Sequence, residues 1–264
     1  NRGVAAKLLT DFINDFPRDP RICEALTLRG DMYAKTKKEA EALMDFDRVI
    51  ARWPKAESAA AAWQRAAQIY AGRQDMAKYY EGLIQNFPKA SPAALAEAHF
   101  LLGRAAFDQG DFKSSISHMA EAKTLDPQKY GEQVNVLSVL SYHKLQDVNK
   151  LKEALETLQK ENPSAVARVP DVIPAWLGLQ AYGMKDLETA DKYMTWATQN
   201  DQLQNVKKVI WRNLAKVRLA LKKYDRALVA SNNFLKDEDQ PYRRADGMLD
   251  KASILLGLGK YADA

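Results

Sequence analysis

Prolines recur along this chain at a near-constant interval. Pro17, Pro54, Pro88, Pro127 and Pro163 are separated by 37, 34, 39 and 36 residues. Three of them follow an aromatic residue, in Phe16-Pro17, Trp53-Pro54 and Phe87-Pro88. Proline cannot continue a helix, and it biases the residue before it away from helical angles. A period in the mid-thirties with proline closing each unit is the signature of stacked helical repeats. Such a unit is too small to bury its own apolar face until neighbours stack on it, so the whole chain is constrained to a repeat array.

Within the units the hydrophobic period is helical. Ala98, Leu101, Leu102, Ala105 and Ala106 follow i, i+3, i+4, i+7, i+8, which places them on one buried stripe. Asp108-Gln109-Gly110-Asp111 then supplies a turn, and a second amphipathic helix runs from about Phe112 to Leu125. No segment combines strand alternation with hairpin turns. Each unit therefore reads as a helix–turn–helix hairpin, and the fold class as all-α.

These residues resemble the tetratricopeptide repeat, whose pattern is W-x2-L-G-x2-Y, then A-x3-F, then a closing proline. The unit ending at Pro54 carries Leu26, Gly30, Tyr33, Ala42 and Phe46 in that order. The unit ending at Pro88 has Met76 and Tyr80 but Gln64 in place of the usual glycine. The unit ending at Pro127 has Leu102-Gly103, Ser115 and Met119, and Tyr142, Leu151 and Leu155 precede Pro163. Later units keep the core without the proline, with Leu177-Gly178, Ala190 and Met194, then Trp211, Leu214-Ala215, Tyr224 and Ala227. Gly30, Gly103, Gly178, Ala215 and Ala252 share one position, where a larger side chain would hold the two helices of a hairpin apart.

The resemblance implies a right-handed superhelical solenoid over residues 1–264, read as one array. It divides into a half repeat at 1–17, repeats at about 23–54, 57–88, 96–127, 132–163, 171–202 and 208–239, and a partial repeat at 245–264. The phrases Trp53-Pro54-Lys55-Ala56 and Phe87-Pro88-Lys89-Ala90 are similar to bacterial cell-envelope members of the family, which implies the periplasm or cell envelope. The chain opens with Asn1 rather than Met and breaks off at Ala264 where another helix should begin. It reads as a fragment of a longer protein, compatible with a lipid anchor upstream of Asn1.

Composition closes several other routes. With 47% hydrophobic and 28% charged residues, the chain falls among ordinary globular sequences and not among disordered or collagenous ones. No run of eighteen apolar residues offers a membrane-spanning helix. The single Cys23 cannot form an internal disulfide, and as a small hydrophobe on an amphipathic helix it belongs to the core. The net charge of +5 comes from 39 basic and 34 acidic residues interspersed along the chain, which reads as a solvated surface and not as a nucleic-acid patch.

Catalytic motifs are missing. Leu256-Gly257-Leu258-Gly259-Lys260 lacks the spacing of a phosphate loop, with Ile254 and Tyr261 at the required glycine and hydroxyl positions. His99, His118 and His143 fall in different helices without a second partner at helical spacing, and they form no metal set with Cys23. Trp63, Trp176, Trp196 and Trp211 occupy apolar repeat positions and read as core. No catalytic residue, cofactor, metal or small-molecule substrate is expected, and the chain reads as a non-enzyme.

What remains is a surface. In solenoids of the resembled kind the first helix of each hairpin lines the concave side. Phe100, Arg104 and Phe107 stand at i, i+4, i+7 on a stripe apart from Leu101 and Leu102. A groove with a basic wall of Arg65, Arg104, Lys144, Arg212 and Lys216 is expected, with Gln68, Phe100, Phe107, His143 and Tyr182 beside it. The expected occupant is a peptide or helix of another protein, because arginine forks suit carboxylates. Co-chaperone relatives hold a C-terminal carboxylate with repeated Lys and Asn, whereas here Thr27 and Asp31 are followed by Ala61 and Arg65. Two further readings are a regulatory or docking segment of an enzyme whose catalytic part lies elsewhere, and an RNA-binding helical repeat.

Overall fold

The computed structural model describes residues 2–71, 76–199 and 204–260, with the side chains of 2, 204–207 and 237 excepted. Parts of the expected repeats, at 72–75, 200–203 and 261–264 (including Tyr261 and Ala264), lie outside the described residues. Among the described residues there is no strand. The helices are α1 (Arg2–Asp15), α2 (Ile22–Lys35), α3 (Glu39–Arg52), α4 (Ala59–Ile69), α5 (Met76–Asn86), α6 (Pro92–Asp108) and α7 (Phe112–Leu125). There follow α8 (Pro127–Lys144), α9 (Val148–Glu161), a 3-10 turn at Pro163–Arg168, α10 (Val172–Gly183), α11 (Leu187–Thr198), α12 (Gln204–Ala220), α13 (Tyr224–Asp237) and α14 (Pro241–Gly257). No helix of the described residues is long and apolar enough to cross a membrane.

The chain divides into two compact units, Asn1–Leu137 and Ser138–Ala264. In the first, helices pair as α2 with α3, α4 with α5 and α6 with α7. Leu26, Ala42, Phe46, Val49, Tyr80 and Leu83 are shut off from solvent in its core, and Met119 and Ala122 lie with Phe100 and Tyr130 in a second cluster of the same unit. In the second unit α10 pairs with α11 and α12 with α13. Its core holds Ala190, Met194, Leu214, Val217, Ala227 and Ile254. Cys23 is buried, and its Sγ lies 2.9 Å from Ser58 Oγ.

The same turn closes hairpin after hairpin. One residue takes the left-handed conformation, namely Lys37, Gly110, Gln146, Lys185, Lys222 and Gly259. The following N–H reaches back five residues to the helix just ended, as in Lys38 to Tyr33, Asp111 to Ala106, Asp147 to Tyr142, Asp186 to Ala181 and Lys223 to Arg218. This satisfies a carbonyl that the helix end would otherwise leave bare. Asp111, Asp147 and Asp186 then cap the next helix, accepting from the N–H of Ser114, Lys150 and Thr189. Only two of the six left-handed residues are glycine, so sequence alone marks the turn weakly.

Prolines have more than one use. Pro92, Pro127 and Pro241 open helices, where a missing N–H costs nothing. Pro17, Pro54 and Pro88 lie in the links between helices.

Neighbouring hairpins are stitched at one-repeat spacing. Tyr79 and Asp47, Gln64 and Glu97, Lys152 and Asp186, Lys192 and Glu156, and Lys223 and Glu188 stand 32 to 36 residues apart and make side-chain hydrogen bonds. The exposed ion pairs among them contribute about 0–1 kcal/mol each, so they set register more than stability. Two arginines with little exposure act more strongly. Arg29 grips Asp45 with two bonds of 2.8 and 2.6 Å and reaches Thr10 at 3.1 Å, tying α2 to α3 and α1. Arg218 reaches Asp191 at 2.8 Å and Thr195 at 2.8 Å, while Lys223 takes the other Asp191 oxygen at 3.0 Å.

Candidate functional site

In the first unit, polar side chains of the first helices form a ladder. Arg65 Nε of α4 lies 3.2 Å from Asp31 of α2, and Arg65 Nη1 donates to Gln68 at 3.1 Å. Gln68 and Gln64 both donate to Glu97 of α6, at 3.2 and 2.8 Å, and the Tyr80 hydroxyl approaches the same carboxylate at 3.4 Å. Arg65 and Gln68 are therefore brought together as expected, but inside a charge-balanced chain. Asp31 and Glu97 complete it and were not anticipated as site residues. Their signal was available, because Asp31 and Glu97 stand one repeat from Arg65 and Gln64.

The α6 stripe departs from the expectation at one position. Phe100 is only 8% exposed and stacks on Tyr130, with ring centroids 4.6 Å apart, so it belongs to a core cluster and not to an open groove. The reason is that α8 begins right after α7 and supplies an aromatic partner. Phe107 is half-buried and packs edge-on against Phe112 across the turn. Arg104 is exposed and makes no ion pair among the described residues.

His99 and His118 stand on different helices, as expected, yet they form a pair that their spacing in sequence does not reveal. They sit on α6 and α7, about equally far from the turn at Gln109-Gly110, and the hairpin brings their Nδ1 atoms to 3.1 Å. One ring donates and the other accepts, which requires at least one neutral imidazole. Burial lowers the pKa of both rings, and for His99 the charge of His118 lowers it further.

In the second unit, His143 meets the edge of Trp176 at 5.4 Å, and burial together with Lys144 lowers its pKa. Lys144 is exposed, and Tyr182 is half-buried against the core. Arg212 lies 2.9 Å from Asp246 and 3.3 Å from Asp250, and Lys216 shares Asp250 at 3.8 Å. The cations at i, i+4 on α12 thus face acids at i, i+4 on α14, and this part of the expected basic wall is neutralised within the unit. Beside it is an open pocket of about 300 Å³ that includes Lys208, Arg212, Lys216, Phe234, Glu238 and Arg243. Lys208, Glu238 and Arg243 carry no motif and were not foreseen.

Two family models match the chain, both described as tetratricopeptide repeat, over residues 24–56 and 75–130. No curated protein matches it. Among solved structures, that of Naa15/Naa10 bound to HypK-THB is similar at a TM-score of 0.50 and 13% identity, over 96% of this chain and 39% of the other. At that identity the likeness shows the fold alone. A tetratricopeptide repeat protein from Parabacteroides merdae aligns at a TM-score of 0.45 and 12% identity, over 93% of this chain and 90% of the other. Yeast Tom70 aligns at 0.40 and 13%, over 98% of this chain, which spans 59% of the Tom70 chain. The chain carries tetratricopeptide repeats within residues 24–56 and 75–130, an architecture that serves generally as a scaffold for protein interactions.

Proposed function

We propose that the chain is a non-catalytic scaffold that binds a peptide or helix of a partner protein along the first helices of its repeats. The observation that supports this reading most directly is Arg104. It is exposed and free of an acidic partner among the described residues, three residues from the half-buried Phe107 on the same helix face. A cation beside an aromatic edge offers a partner both a charge and an apolar contact. Arg65 and Gln68 add hydrogen-bonding groups, and Lys144, His143 and Tyr182 do the same in the second unit. The repeat boundaries given above, and their reading as one array, belong to the same proposal.

Placement in a bacterial envelope assembly is the finer part of the reading and rests on the Trp53-Pro54-Lys55 and Phe87-Pro88-Lys89 phrases. Fractionation of cells expressing the full-length protein tests it, and recovery with the cytosol would overturn it.

The test of the scaffold reading is affinity capture from native lysate with the wild type and with Arg65→Glu/Arg104→Glu, both checked for helicity by circular dichroism. A protein partner captured by the wild type and lost from the variant is the expected result. Capture of RNA in place of protein would overturn the reading.

A further inference from the structure

His99 on α6 and His118 on α7 face each other across one hairpin, with their Nδ1 atoms 3.1 Å apart. The closeness is built in at Gly103, one turn further along α6. A methyl group at Gly103 would stand 3.2 Å from His118 Cβ, so the missing side chain lets α7 approach at this level. Both rings are partly exposed, and their centroids are 5.3 Å apart. The pair is held by two packed helices and can still be reached from solvent.

A pair of imidazole nitrogens at this spacing suits a metal ion. Zinc binds such a nitrogen at about 2.0–2.1 Å, so two of them on one tetrahedral ion stand about 3.3–3.4 Å apart. The observed 3.1 Å falls short by a few tenths of an ångström, which a slight tilt of two partly exposed rings supplies. The surrounding charge also favours a cation. Glu121 stands one turn from His118, and its carboxylate and that of Glu81 on α5 both act on the His118 ring. Among the described residues no group of three or more His, Cys, Asp or Glu side chains gathers around a common point. Two nitrogens are thus the protein's share, and water fills the other positions.

We propose that His99 Nδ1 and His118 Nδ1 together chelate one divalent ion, zinc or its neighbours copper and nickel, between α6 and α7. In the free pair one ring donates its Nδ1 proton to the other. On binding, that proton is carried on Nε2 of the same ring, so both rings stay neutral and both Nδ1 lone pairs serve the ion. Imidazole selects these ions over calcium and magnesium, which take oxygen ligands. The site is independent of the scaffold reading.

The test is a zinc titration of the untagged chain at pH 7.5, followed by the nitrogen chemical shifts of the histidine rings. One equivalent of zinc should saturate the site and move Nδ1 of His99 and of His118, while His143 stays in place. His99→Gln and His118→Gln should each weaken zinc at least tenfold, since even losing the group behind a ligand costs about 10–100-fold. His143→Gln should bind as the wild type does, and calcium should not compete. Circular dichroism checks folding, and should a variant fail to fold, the ring shifts of the wild type still decide. No saturable zinc binding, zinc held at Nε2 or at His143, or a loss in only one of the two variants overturns the proposal and leaves a hydrogen-bonded pair. Partner capture through Arg65 and Arg104 is read separately, so the scaffold reading stands or falls on its own.

Discussion

Gly178 on α10 lies against Met194 on α11 so closely that a methyl group at Gly178 would stand 2.7 Å from Met194 Cγ and 2.9 Å from its backbone N. The same contact recurs sixteen residues apart in Gly30 with Phe46 and Gly103 with Met119. The small residue sets how near the two helices of a hairpin approach.

Gly178→Ala therefore destabilises the second unit by about 2 kcal/mol, because backbone cannot step aside and overpacking outweighs the gain in helix propensity. At Gly103 the nearest atom is the flexible Met119 Cγ at 3.1 Å. Gly103→Ala should cost clearly less, about 1 kcal/mol or below. Urea unfolding followed by circular dichroism ranks the two variants, and the reverse order would refute the steric argument.

Asp45 and Arg29 test the buried ion pair. Their side chains are 5% and 14% exposed, so removing the acid strands a guanidinium away from water. Asp45→Ala should cost about 3 kcal/mol. Replacing both, as Arg29→Met/Asp45→Leu, should cost markedly less, because no charge is left unpaired. Thermal melts of the three proteins decide between a paired and an incidental contact.

The turns give changes of opposite sign. Lys185 holds a φ of 63° and Gly110 a φ of 81°. A side chain pays about 1 kcal/mol in this region and glycine does not. Lys185→Gly should stabilise by about 0.5–1 kcal/mol, and Gly110→Ala should destabilise by about 1 kcal/mol. Midpoints of chemical denaturation read both.

His99 and His118 make the first unit sensitive to acid. Burial, and for His99 the neighbouring ring, holds both pKa values below the ordinary 6.5, while Glu121 pulls the other way on both and Glu81 on His118. Below that value the unfolded chain binds more protons than the folded one. Stability is thus intact above pH 6.5 and lost as the pH falls towards the lowered folded-state values. The melting temperature should drop by about 3 °C or more between pH 7.5 and 5. His118→Gln should flatten that drop, and an unchanged slope would show that other groups carry it.

Much of this architecture was legible before any coordinates. Local chemistry is enough to place a helix, a turn and a small residue, because helical periodicity, proline spacing and the Leu102-Gly103 type of pair act over short stretches of chain. The repeat also told which helix comes first in a hairpin. Turns at Lys37, Gln146, Lys185 and Lys222 were hard to see, since nothing local marks a lysine or glutamine for the left-handed region.

The candidate site was the least legible part. Arg65, Arg212 and Lys216 can be counted in a sequence as cations, but whether they are free depends on which acids stand one repeat away. Phe100 keeps the spacing of an exposed stripe, and only the arrival of Tyr130 turns it into core. His99 and His118 stand on different helices and become a pair through the hairpin alone. Periodicity, proline spacing and residue size thus determined the repeat, because those properties act between residues near in sequence. Tertiary structure decided which charges are paired and which aromatics are covered, because those outcomes depend on distances between residues of different helices.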